Sequence, residues 1–133
     1  MKSGTITAIN DYEGDDVSGY VIDTTTDQTI KLYIDNSQSC CEQWGFFWCN
    51  DDPQEFVGAT VLNVSMTDTA LNTEKVEDEC NYSHHYDDGN GIMFVNIETD
   101  RGVLQFVAYN CHNGYYGHEA TVECSYLTEK VFL

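Results

Sequence analysis

Cations are what this sequence has least of: five Lys and Arg stand against 23 Asp and Glu in 133 residues, a formal net charge of −18 at pH 7. That shortage excludes direct nucleic-acid binding, because phosphate neutralisation needs clustered basic side chains. Lys2, Lys31, Lys75, Arg101 and Lys130 instead stand singly along the chain. Proline occurs once, at Pro53, so extended segments run without interruption. No apolar run approaches the ~18 residues of a membrane-spanning helix. The N-terminal Met-Lys-Ser-Gly-Thr-Ile-Thr has no apolar core of a secretory signal. The chain therefore reads as soluble, with no membrane partner. Also absent are a Gly-rich phosphate loop, a nucleophile elbow, and the second histidine that His118-Glu119 would need to resemble a metalloprotease helix. Carboxylates abound, but no spacing singles out a catalytic pair, so no catalytic residue is assigned and the chain reads as a non-enzyme.

What is present argues for a folded chain. With 41% hydrophobic and 13% aromatic residues, it can bury a core despite its charge, and its length suits a single domain over residues 1–133. Period-two alternation dominates. Ile30, Leu32 and Ile34 oppose Thr29, Lys31 and Tyr33, and Leu62, Val64 and Met66 oppose Val61, Asn63 and Ser65. Further strands are predicted at 4–9, 17–24, 43–49, 92–98, 103–110 and 119–126, with turns near residues 13–16, 26–27, 100–102 and 113–114. One helical turn is expected at 52–58, with Asp52 as N-cap, Pro53 at the first position and Gly58 as the stop. The predicted fold is mainly β, of about eight short antiparallel strands with one short helix, either a single curved sheet or two layers. The aromatic run Gln43-Trp44-Gly45-Phe46-Phe47-Trp48 is expected to fill its core.

Six cysteines without a secretory signal point to a reducing compartment, where thiols stay free or bind metal. The segment 67–90 lacks strand pattern and is long for a loop inside a compact domain, which calls for an anchor. It carries Cys80, His84 and His85, ligand types that zinc prefers. A hairpin of 92–98 with 103–110 sets Cys111 opposite residue 90. If 43–49 and 92–98 both run antiparallel to 60–66, Cys40 and Cys41 arrive at the same pole. Four protein ligands drawn from Cys40, Cys41, Cys80, His84, His85 and Cys111 would make a closed, structural zinc site. The alternatives are unrelated free thiols and disulfides. Cys49 and Cys124 fall toward the other pole as small apolar residues.

Self-repulsion at this charge works against compactness, so a cationic macromolecular partner is expected, namely a basic nucleic-acid-binding protein. Single carboxylates are adequately explained as solvated surface. Taken together, Asp51, Asp52, Glu74, Glu77, Asp78, Glu79, Asp87 and Asp88, with Tyr115 and Tyr116 at a hairpin tip, suggest a partner-binding face.

Cys40-Cys41-Glu42 before an apolar strand, the Pro53 to Gly58 turn with Ala59-Thr60-Val61-Leu62, and Asn113-Gly114-Tyr115-Tyr116 resemble a family of small acidic phage-encoded proteins. The resemblance spans roughly residues 28–117. It implies an anti-CRISPR inhibitor of type II-A Cas9, in a zinc-containing form, acting as a monomer in the bacterial host cytoplasm and blocking target DNA loading. A phage accessory or structural module that self-associates is the alternative.

Overall fold

The computed structural model describes residues 4–26, 28–36, 43–80, 92–111, 119–125 and 127–133, with backbone alone at 43, 77–80, 111 and 132. Nine strands are present among the described residues: β1 (Ile6–Glu13), β2 (Val17–Thr24), β3 (Thr29–Asp35), β4 (Gln43–Trp48), β5 (Val61–Thr67), β6 (Ile92–Thr99), β7 (Gly102–Cys111), β8 (Glu119–Glu123) and β9 (Thr128–Phe132). A 3-10 turn (Pro53–Phe56) precedes β5, and helix α1 (Thr73–Cys80) follows it. The strands form two antiparallel sheets, ordered β1-β2-β3-β8-β9 and β4-β7-β6-β5. The mainly β, two-layer expectation holds. No helix among the described residues is long and apolar enough to cross a membrane.

Alternation explains the layering. Ile22, Ile30, Leu32, Ile34, Ala120 and Val122 turn inward from the five-stranded sheet to meet Trp48, Val95, Ile97, Leu104, Phe106 and Ala108 of the other. Tyr20 bridges the layers, its ring stacked 4.7 Å from Trp48 and edge-on to Phe106 at 6.0 Å. The aromatic run in β4 is core, as its pattern implied: Trp48 faces the interior while Phe47 packs under α1 with Phe94, Val107 and Val76.

The strand ends define two poles. At one, the β1–β2 turn lies beside the end of β3 and the start of β8, while the start of β4 pairs with the end of β7 through Gln43 and Cys111. The Asn110 amide donates to the Leu133 carbonyl at 3.2 Å, which ties the end of β7 to the end of β9 and shows that this pole is shared by both sheets. The chain crosses between sheets here, from β3 to β4 and from β7 to β8. At the far pole, Ile6 N–H donates to the Ala59 carbonyl at 2.8 Å, joining the starts of β1 and β5.

Four local expectations change. The segment 67–90 contains α1, whose mostly polar sequence gives a weak apolar stripe, with Val76 as a buried anchor. Asn72 Oδ1 accepts the Lys75 N–H at 3.2 Å and caps it. The predicted strand 119–126 is the hairpin β8–β9, turning at Cys124, where the backbone N–H bonds to the Leu127 carbonyl at 3.0 Å. Asp52 makes no side-chain cap bond, and the turn it precedes is 3-10. Gly58 does end it, with φ +97°, a conformation that disfavours any side chain. Finally, β4 runs in the expected direction but pairs with β7, on the opposite edge of its sheet from β5.

Gly19 lies between Tyr12 and Tyr33 in register, and a Cβ there would overlap the Leu32 carbonyl and approach Tyr33 Cα at 2.6 Å. Gly19→Ala is expected to cost about 2–3 kcal/mol in urea unfolding, the scale of an overpacked core. A change under about 0.5 kcal/mol would contradict so tight a β2–β3 approach.

Candidate functional site

Described elements that flank several of the candidate residues end at the crossover pole. Cys111 is the last residue of β7 and the register partner of Gln43, two residues after Cys41. Ile92 pairs with Tyr109, so β6 also begins at this pole. Helix α1 heads there too. Asn72 N–H donates to Cys49 Sγ at 3.1 Å, and one turn later Val76 packs on Phe47. Cys49 and Phe47 are successive positions on one side of the β4 line, so α1 advances toward Gln43 and delivers Cys80 at its end. Cys40, Cys41, His84 and His85 lie outside the described residues, as do Asp87, Asp88, Tyr115 and Tyr116. Their chain neighbours on both sides nevertheless end at this pole, since segments 37–42, 81–91 and 112–118 join Asn36 to Gln43, Cys80 to Ile92 and Cys111 to Glu119. Among the described residues no group of three or more His, Cys, Asp and Glu forms a metal cluster.

A polar network under α1 fixes its position. Gln105, 1% exposed, donates through Nε2 to the Thr69 carbonyl at 3.0 Å and to Asn96 Oδ1 at 2.8 Å, while its Oε1 accepts Leu71 N–H at 2.8 Å. Asn50 Oδ1 accepts Gln105 N–H at 2.9 Å, and the Asn50 carbonyl takes the Lys75 ammonium at 2.9 Å. The anchor that 67–90 called for is thus a buried glutamine, a residue type that carries no such signal in sequence. Cys49 is a buried free thiol, and Cys124 is half-buried. They directly follow β4 and β8, away from the crossover pole. Burial pushes the Cys49 thiol up, partly offset by bonds from the backbone of Asn72 and Leu71.

Carboxylates divide between the poles. Asp51, Asp52 and Glu55 are exposed at the far end with Asp100, and Glu74 is exposed on the first turn of α1. Glu77, Asp78 and Glu79 follow on α1 toward the crossover pole. The structure therefore separates Asp51 and Asp52 from the loops they were grouped with. It gathers others instead: Asp16, Asp35 and Glu119 line an open groove of about 380 Å³ with Val17, Tyr33 and Thr121. Tyr33 donates its hydroxyl to Glu123 Oε2 at 3.1 Å, and burial, then this bond and the Glu123 charge, raise its pKa. Strand alternation already assigned Tyr33 to the polar face. The meeting of Asp35 with Glu119 depends on β8 inserting beside β3, a cross-sheet pairing with no local sequence signal.

Two antiparallel sheets packed face to face, with both chain crossings at one pole, define a β-sandwich. The chain belongs to the family DUF7448, a domain of unknown function, whose pattern matches residues 4–122. No curated protein and no solved structure is significantly similar to it.

Gln105→Leu is expected to lower stability by about 2 kcal/mol, because the Thr69 carbonyl and Leu71 N–H lose their partner. Amide exchange should accelerate across 69–80 more than in β7, and uniform acceleration would contradict the anchoring role. The raised Cys49 and Tyr33 pKa values mean that the folded chain holds these protons more tightly than the unfolded chain does. The Cys49 contribution is complete below the ordinary thiol value of 9.0 and is lost as pH rises above it, and the Tyr33 contribution is lost only above the ordinary phenol value of 10.0. Urea midpoints should fall from about pH 8 to about pH 10, with a smaller fall in Cys49→Ala, and a rise would contradict the burial argument.

Proposed function

We propose that this protein is a non-enzymatic acidic binding module that sets its crossover pole against a basic surface of a nucleic-acid-binding protein. The partner implied by the Cys-Cys-Glu and Asn-Gly-Tyr-Tyr resemblance is type II-A Cas9, whose guide and target strands run through a positively charged channel, so occupation of that channel blocks target DNA loading. The observation that carries this reading is the convergence on one pole of the loop ends flanking Cys40-Cys41, Cys80 to His85 and Tyr115-Tyr116, beside Asp15, Asp16, Asp35 and Glu119. Exposed like charges so placed steer association with a cationic surface and add repulsion unless a partner covers them.

The same convergence supports a structural zinc ion. Thiolates and imidazoles are the ligands zinc prefers, and Cys80 and Cys111 end elements that arrive together, with Cys40 or Cys41 and His84 or His85 completing a set of four. Such an ion would join three segments whose sequences, Ser-Gln-Ser-Cys-Cys-Glu among them, hold no aliphatic side chain larger than alanine. Host cytoplasm, a reducing compartment, suits free thiolate ligands.

A second reading is favoured by Leu62 and Met66, 56% and 37% exposed on edge strand β5: a self-associating phage structural module. Co-purification separates the two. The binding module is expected to retain Cas9 at low salt and to inhibit DNA cleavage at least tenfold less at high salt, because exposed charges screen over about 8–10 Å. Salt-independent inhibition, or self-association on a sizing column with no Cas9 retained, would overturn it. Elemental analysis should give one zinc per chain in the wild type and in Cys124→Ser. It should give none in Cys80→Ser or Cys111→Ser, each with a lowered melting temperature; retained metal in either would remove zinc from the account.

A further inference from the structure

The two sheets differ on their outer sides. Helix α1 covers that of β4-β7-β6-β5, burying Phe47, Phe94 and Val107. No described element covers that of β1-β2-β3-β8-β9. Across it, Tyr12, Gly19, Tyr33 and Thr121 stand in register, and the two tyrosine rings meet 5.6 Å apart across the glycine. Among the described residues, the lysines on this face, Lys31 and Lys130, already rest on groups that hold cations. Lys31 Nζ lies 5.4 Å from the centroid of the Tyr12 ring, and Lys130 Nζ lies 3.9 Å from Glu119 Oε1. Neither lysine lines the groove, whose walls bring three carboxylates to the flank of Tyr33.

We propose that this sheet face is the docking surface for an arginine-bearing segment of a basic protein, with a guanidinium entering the groove between Tyr33, Asp16, Asp35 and Glu119. The assignment rests on the reading of the protein as a binder of a basic partner and says where and how contact is made. Charge complementarity selects a cation, and the geometry selects arginine over lysine. A planar guanidinium stacks on a tyrosine ring and donates in parallel to carboxylates on either side, whereas a compact ammonium keeps its hydration. A groove of about 380 Å³ is of side-chain scale and too small for a folded element. The Tyr12–Tyr33 pair supplies rigid amphipathic area beside it, at little cost in side-chain entropy.

The test is calorimetric titration of the full chain with an oligo-arginine and an oligo-lysine peptide of equal length at low ionic strength. Wild type should bind the arginine peptide about fivefold or more tighter than the lysine peptide. Asp35→Asn/Glu119→Gln should weaken arginine-peptide binding about tenfold. Asp68→Asn/Glu98→Gln, with the same loss of charge on the β5–β6 side, should weaken it less than about twofold, and Asp16→Asn alone should fall between. Near-ultraviolet circular dichroism, which reports the Tyr20–Trp48 stack, should be unchanged in all variants. Equal weakening in the two double variants, or equal affinity for both peptides, overturns the groove and leaves the acidic-binder reading standing. Binding of neither peptide by wild type overturns both.

Discussion

Face-to-face packing of two sheets is the constraint on which the rest depends. The inward residues of β2, β3 and β8 bury their apolar surface in one core with those of β4, β5, β6 and β7, and the Tyr20–Trp48–Phe106 group locks the layers in one relation. Once the layers are fixed, the chain's two passages between them must leave and enter at strand ends, and both fall at the same pole.

Charge then works against this packing. At −18, the chain tolerates its own repulsion because carboxylates sit mostly at exposed positions, where water screens them. Local compensation is small. The Lys130–Glu119 pair, at 3.9 Å with both side chains largely exposed, belongs to a class worth about 0–1 kcal/mol. Arg101 is spent on the Glu55 and Val57 carbonyls near Gly58, at 3.0 and 3.1 Å. Most of the surplus therefore rests on exposed side chains rather than on ion pairs among the described residues.

Much of the fold was legible from period-two alternation. The strand around Ile30–Leu32–Ile34 alternates cleanly because one side is wet and the other dry, whereas Leu104 to Ala108 is buried on both sides, beneath α1 and against the other sheet. Alternation could not give α1, because Thr73–Cys80 is mostly polar and its start is held by Gln105, Asn72 and Asn50. Nor could it give sheet partners. The shared pole of Cys80, Cys111 and the approach to Cys41 followed from strand directions, which are local. The groove of Asp16, Asp35, Glu119 and Tyr33 followed from β8 lying beside β3, residues about 90 apart in sequence, which are not.

The central claim is that the crossover pole and the adjoining outer sheet face form the contact surface for a basic partner. Hydrogen exchange of the protein with and without purified guide-loaded Cas9 tests it most directly. The account predicts slowed exchange concentrated at residues 14–17, 33–43 and 111–121, with β5 unchanged. Slowing confined to β5 and the 68–72 segment, or none at any peptide when Cas9 is saturating, would contradict it.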